Sequence, residues 1–146
     1  MALFLGGALV LTLDALTPRV VLLDETGGRL CSFPLYLGDV FETEYIHSVQ
    51  LCPVVDLYYA DGRGLRLWEE RTQSTNAGLP TEAPPRGRFV HEPPWYRYIG
   101  GGRFFSSLVL RVGDARWGRN ILTLPGGEVL PLFERYPGRR LVLRVQ

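Results

Sequence analysis

The chain contains no lysine: all 16 of its basic residues are arginine. That bias points to genome composition rather than to a function. Against 15 acidic residues it leaves a formal net charge of +1, so the sequence carries no basic footprint for nucleic acid. Histidine is almost missing. The two present, His47 and His91, have no spacing that suits a metal site. The only cysteines, Cys31 and Cys52, lack the CxxC spacing of zinc or thioredoxin-like chemistry. They read either as small buried apolar residues or, in an exported protein, as a disulfide if their Cα atoms approach within about 7 Å. No Gly-x-Ser-x-Gly elbow, heptad or internal repeat occurs. No apolar run reaches the roughly 20 residues of a spanning helix. No cofactor is implied.

What is present is enough for one globular domain. At 146 residues and 46% hydrophobic composition, the chain can bury a core without metals or disulfides. Residues 1–16 form a hydrophobic N-terminal segment, and residues 17–146 read as a β domain. Ala2 to Leu13 is nearly pure apolar sequence. Its length suits the core of an export signal or anchor, yet no basic residue precedes it and no small-x-small cleavage site follows. The alternative is a first buried element of the fold.

From Thr17 onward the pattern is of short strands and turns. Arg19 to Leu23 and Arg29 to Phe33 flank Glu25-Thr26-Gly27-Gly28 as a hairpin. Val40 to Val49, Val54 to Tyr59, Leu65 to Gln73, Phe104 to Val112, Asn120 to Leu124, Glu128 to Phe133 and Leu141 to Val145 read as further strands. Strands at this spacing predict a single-domain, all-β antiparallel barrel or sandwich. The stretch Ser74 to Gly102, rich in proline and glycine, reads as a long irregular loop.

Strand alternation sorts the polar residues. Phe41, Thr43, Tyr45, His47 and Val49 share one face of the third strand, which aims His47 at the core and separates it from Ser48. Asp56, on the next strand, is then placed to orient the His47 imidazole across a hairpin. The pair reads as a buried register-fixing contact or a passive ligand site, with a small hydrolase as the competing possibility. Leu65, Leu67, Glu69, Arg71 and Gln73 share a face of the following strand, which leaves Glu70 on a solvated one. Catalytic assignments are therefore withheld. His47, Asp56, Glu69, Gln73 and Ser74 are the candidate ligand-binding residues. Asn76, Gly78 and Pro80 belong to a loop at the mouth of the site. A purely structural, protein-binding module remains the third possibility.

The motifs Ile46-His47-Ser48-Val49, Pro53-Val54 with Asp56 and Tyr58, Gln73-Ser74, and Ala77-Gly78-Leu79-Pro80 occur together and in order. In this the chain resembles a bacterial family of small uncharacterised domains. Members are commonly encoded beside the fused membrane subunit of TAXI-type TRAP transporters, uptake systems that use an extracytoplasmic solute-binding protein. This chain has Gln50 where the family often has an acidic residue. The resemblance implies an extracytoplasmic or membrane-anchored accessory module, attached through the N-terminus, whose partner is a transporter component or a small organic solute.

Overall fold

The computed structural model describes residues 17–146, so the N-terminal run lies outside the described residues. The fold is all-β, as the alternation predicts. Four strands form one antiparallel sheet: β1 (Arg19–Leu23), β2 (Arg29–Pro34), β9 (Leu108–Arg111) and β12 (Arg140–Val145), in the order β2-β1-β12-β9. A larger sheet runs β11 (Val129–Pro131), β10 (Ile121–Thr123), β3 (Phe41–Ile46), β4 (Pro53–Ala60), β5 (Leu65–Thr72), β7 (Trp95–Ile99), β6 (Arg88–Glu92). The short β8 (Phe104–Phe105) adds to β5.

The two sheets bury one another. Val20, Leu22, Leu141 and Leu143 of the small sheet join Phe41, Tyr58, Leu65 and Leu122 of the large one in a single cluster. Each such side chain contributes about 1.5–3 kcal/mol on leaving water. Phe41 stacks on Tyr58 at 5.4 Å and meets Phe33 edge-on at 5.5 Å. A second, smaller cluster holds Cys52, Val54 and Leu79 with Tyr45 against it. Leu79 comes from the loop after β5, where Ala77 (φ 60°) and Gly78 (φ 91°) adopt left-handed backbone and turn the chain back. The Asn76 carbonyl accepts a hydrogen bond from the Leu79 N–H at 3.3 Å, and that of Pro80 accepts one from the Tyr98 hydroxyl at 2.6 Å. The Asn76 to Pro80 loop is thus anchored to the sheet by its leucine.

Several expectations are corrected. Residues 88–99 are a hairpin, β6–β7, whose turn contains a cis Pro93–Pro94 peptide; the prolines sit in the turn, where no ladder hydrogen bond is lost. The strand expected over Phe104 to Val112 is split into β8 and β9, and Glu128 to Phe133 ends in a one-turn helix, α1 (Leu132–Arg135). β3 stops at Ile46, so His47 lies in a turn rather than on the core face. Cys31 and Cys52 are free thiols. Cys31 packs against the main core and Cys52 in the smaller cluster, so no disulfide links them.

The correction that matters most for function lies in β5. Leu57 is opposite Glu69 and Tyr58 is opposite Leu67, which leaves Trp68 as an extra, unpaired residue. Such a bulge reverses the alternation that follows it. Glu70 therefore faces inward with Asp56 and Tyr58, and Glu69 faces outward. The simple alternation of β5 had assigned them the other way round.

Candidate functional site

Residues directly opposite across neighbouring strands share a face of the sheet. The register places Thr43, Asp56, Glu70 and Tyr98 in one line across β3, β4, β5 and β7. This polar row runs between the two hydrophobic clusters: Phe41, Tyr58 and Leu67 on one side, and Tyr45 and Val54 on the other. Two clefts open on it. Thr43, Tyr45, Asp56 and Tyr58 form the floor of one, of about 530 Å³, with β9 along its opposite side. Glu70, Tyr98 and Arg103 line the other, of about 580 Å³, beneath residues 80–85.

Asp56 is the most unusual group in the row. Its Oδ2 accepts a hydrogen bond from the Tyr58 hydroxyl at 3.1 Å. Its Oδ1 is buried and has no partner, alone in this among the described residues. Burial pushes its pKa to about 6, against the opposing pull of the Tyr58 hydrogen bond and of Arg103. Burial and the neighbouring Asp56 charge push Glu70 to about 7, with Arg103 again opposing. Two carboxyl groups on adjacent strands cannot both ionise cheaply at low dielectric, so they behave as a coupled pair near neutrality. Burial and the same two charges raise the Tyr45 hydroxyl to about 12.

Glu69 has the opposite environment. Its side chain is 3% exposed, but Arg97 and Arg71 both donate to it, at 2.5 and 2.7 Å. Burial pushes its carboxyl up; the two guanidinium hydrogen bonds outweigh that and hold it below the ordinary range. Arg97 also pairs with Glu92 at 2.7 Å. This is a structural ion cluster on the outer face.

The predicted site residues do not converge on one cavity. The register sets Asp56 opposite Thr43, not His47. The His47 Nδ1 instead accepts hydrogen bonds from the Val49 and Gln50 N–H groups, at 3.3 and 3.2 Å, and the ring lines a third cleft with Trp117 and Arg116. The His47–Asp56 pair that a hydrolase needs is not formed. Ser74 donates from its hydroxyl to Gln50 Oε1 at 3.0 Å and exchanges hydrogen bonds with Thr72, closing the end of β5. Gln73 is exposed beyond the strand. Of the loop residues, Pro80 lines the second cleft. Among the described residues no group of three potential metal ligands occurs.

Sequence reasoning found Asp56 and missed Glu70, Thr43 and Tyr98. The available signal was the length of the β5 run: Trp68 is one residue too many for both Leu67 and Glu70 to face inward by strict alternation.

No curated protein and no solved structure matches the chain. A family model described as a domain of unknown function, DUF1850, matches residues 41–130, a span that contains β3 to β10 and the whole polar row. The chain belongs to this family, the Domain of unknown function (DUF1850).

Proposed function

We propose that this domain is a non-enzymatic module that binds a small organic solute in the cleft floored by Asp56, as an extracytoplasmic accessory to TRAP-type uptake. The observation that carries the binding reading is Asp56, which lines a cleft of about 530 Å³ and whose Oδ1 is buried without a partner. Buried polar atoms are nearly always satisfied, and a carboxyl left unsatisfied in the wall of a cleft of this size supports a site that a ligand completes. The uptake context rests on the motif resemblance. In that context residues 2–13 serve for export or attachment, and a transporter component receives the solute.

Calorimetric titration of the folded domain with a panel of small organic acids, amines and amino acids tests the binding claim. We expect at least one to bind, and Asp56→Asn to weaken it about tenfold or more. Binding by none of the panel, or equal binding by the variant, would overturn it.

A further inference from the structure

The third cleft, of about 510 Å³, lies beyond the end of β3, between the turns at residues 47–51 and 113–118. The Gly118 carbonyl ties the two turns together by accepting from the Ile46 N–H at 2.7 Å. Each turn is also fixed from within. His47 Nδ1 accepts from the Val49 and Gln50 N–H groups, and Asp114 Oδ1 from those of Arg116 and Trp117, at 2.8 and 2.7 Å. These bonds decide which polar atoms are left over. An accepting Nδ1 carries no hydrogen, so the His47 ring hydrogen is on Nε2, a donor with no partner among the described residues. Asn120 Oδ1 accepts from the Gly113 N–H at 2.7 Å, so its free group is the NH2, again a donor. The carbonyls of His47, Trp117 and Gly118 are already taken by the Leu51, Asp114 and Ile46 N–H groups. Arg116 holds its guanidinium 5.3 Å from the centre of the Trp117 ring and joins none of the ion pairs of the described residues. Asp56 Oδ1 is the one buried side-chain polar atom without a partner among the described residues, so these open donors all reach solvent. None of the described residues that line the cleft carries a carboxylate. Asp114 is engaged with its own turn, and the row of Asp56 and Glu70 runs opposite Thr43, one inward position before Tyr45. Arg111 borders the cleft, but alternation turns its side chain to the outer face of the small sheet.

We infer that this cleft binds a small oxyanion, held by Arg116, the His47 Nε2–H and the Asn120 amide beside the Trp117 ring. Hydrogen bonds from a guanidinium to an anion are about twice as strong as neutral ones, and donors fixed before the ligand arrives lose little freedom on binding it. Trp117, 54% exposed, offers ring surface to whatever the anionic group is attached to. A carboxylate, a phosphate and a sulfate share the chemistry that the donors recognise. An ammonium ion would meet only donors and the Arg116 charge. The site is distinct from the Asp56 cleft and does not rest on it; Tyr45, Arg111 and Asn120 stand on the border of both.

The test is titration of the full 146-residue chain, ¹⁵N-labelled, with acetate, benzoate, phosphate and sulfate, and with ethylammonium as the opposite charge, all at constant ionic strength in chloride. The Trp117 indole N–H, assigned by its loss in Trp117→Phe, and the amides of residues 114–118 should shift saturably with at least one of the anions and not with ethylammonium. Arg116 is exposed, so Arg116→Gln should leave the fold intact and weaken that anion about tenfold or more. His47→Asn keeps an acceptor for the Val49 and Gln50 N–H groups but loses the Nε2 donor, and should weaken it about fivefold. Asp56→Asn should leave it unchanged, which separates this site from the solute cleft. Benzoate binding tighter than acetate would assign the site to an organic acid lying on Trp117, and phosphate or sulfate binding tightest would assign it to an inorganic oxyanion. No saturable shift with any of the anions, an equal response to ethylammonium, or an unchanged affinity in Arg116→Gln would overturn the site and leave the reading of the Asp56 cleft standing.

Discussion

Glu69 and Glu70 are adjacent in sequence and lie on opposite faces of one strand. On the outer face Glu69 is almost wholly buried, yet two arginines hold it ionised. On the inner face Glu70 meets Asp56 across the ladder, with no salt bridge to either, and both carboxyls are raised. Burial acts on both faces; what differs is whether a cation was built in beside the carboxylate. The outer cluster is complete within the chain, whereas the inner row has its charge balance open. An arrangement that costs stability at neutral pH is what a binding site leaves for its ligand to offset.

The largest test of that contrast is pH. Asp56 rises from 3.8 to about 6 and Glu70 from 4.5 to about 7. A carboxyl raised on folding is favourable to the fold while protonated, and its cost grows as pH climbs from the unfolded value through the folded one. The lowered groups act in the other direction. Glu69 loses its stabilising contribution as pH falls through its folded value, as do Asp24, held down first by the Thr26 hydroxyl, and Asp61 and Asp114, held down first by backbone N–H groups. Stability measured by urea unfolding should therefore peak on the acid side of neutrality and fall towards pH 8. A tenfold change in a carboxyl's acidity on folding is worth about 1.4 kcal/mol, so after mutual repulsion and solvent screening the pair should account for a fall of about 3 kcal/mol. Asp56→Asn with Glu70→Gln should remove the fall and make the domain more stable than wild type at pH 8. Glu69→Gln should do the reverse and cost about 2 kcal/mol at pH 7. That is less than for a fully buried pair, because Arg71 and Arg97 remain 31% and 28% exposed. A double variant less stable than wild type at pH 8 would mean that the inner row is as self-sufficient as the outer cluster.

A smaller effect is expected from the bulge that creates the contrast. With Trp68 unpaired, its deletion leaves Tyr58 opposite Leu67, Leu57 opposite Glu69 and Asp56 opposite Glu70. The two faces should survive in a regular ladder, at a cost of about 1 kcal/mol for the hydrogen bond that the Trp68 carbonyl accepts from the Gly100 N–H. Carboxyl ¹³C titration of the deletion variant should still show a raised Glu70. A Glu70 returned to the ordinary carboxylate range would show that Trp68 does more than shift the pattern.

The same bulge explains where the sequence was legible and where it was not. Hairpins such as Arg19 to Pro34 could be read because alternation and a Gly-rich turn agree. The all-β class followed from many such agreements. Asp56 could be singled out because it interrupts Val54, Val55, Leu57 and Tyr58. The partner of Asp56 could not. A bulge adds one residue with no composition of its own, and strict alternation then assigns every later side chain to the wrong face. His47 failed for a related reason: its strand ends one residue earlier, at Ile46, where local hydrogen bonds take over from the ladder. The β6–β7 hairpin was hidden because prolines that break a strand also make its turn.

The last effect, of similar size, concerns His47, and it separates a turn from the polar row. Its Nδ1 accepts from two backbone N–H groups, its own N–H donates to Cys52 O at 2.9 Å, and its carbonyl accepts from Leu51 N–H at 2.8 Å. These bonds hold Leu51 in left-handed backbone, φ 51°, a conformation a leucine seldom adopts unaided. His47→Ala should cost about 1 kcal/mol through the lost acceptor. His47→Asn, whose side-chain oxygen can accept from the same N–H groups, should recover most of that loss. Neither change should alter the titration of Asp56 or Glu70, because the polar row makes no bond to this turn. A shift in either carboxyl on removing the imidazole would reconnect His47 to the row, and the separation of the two regions would then have to be abandoned.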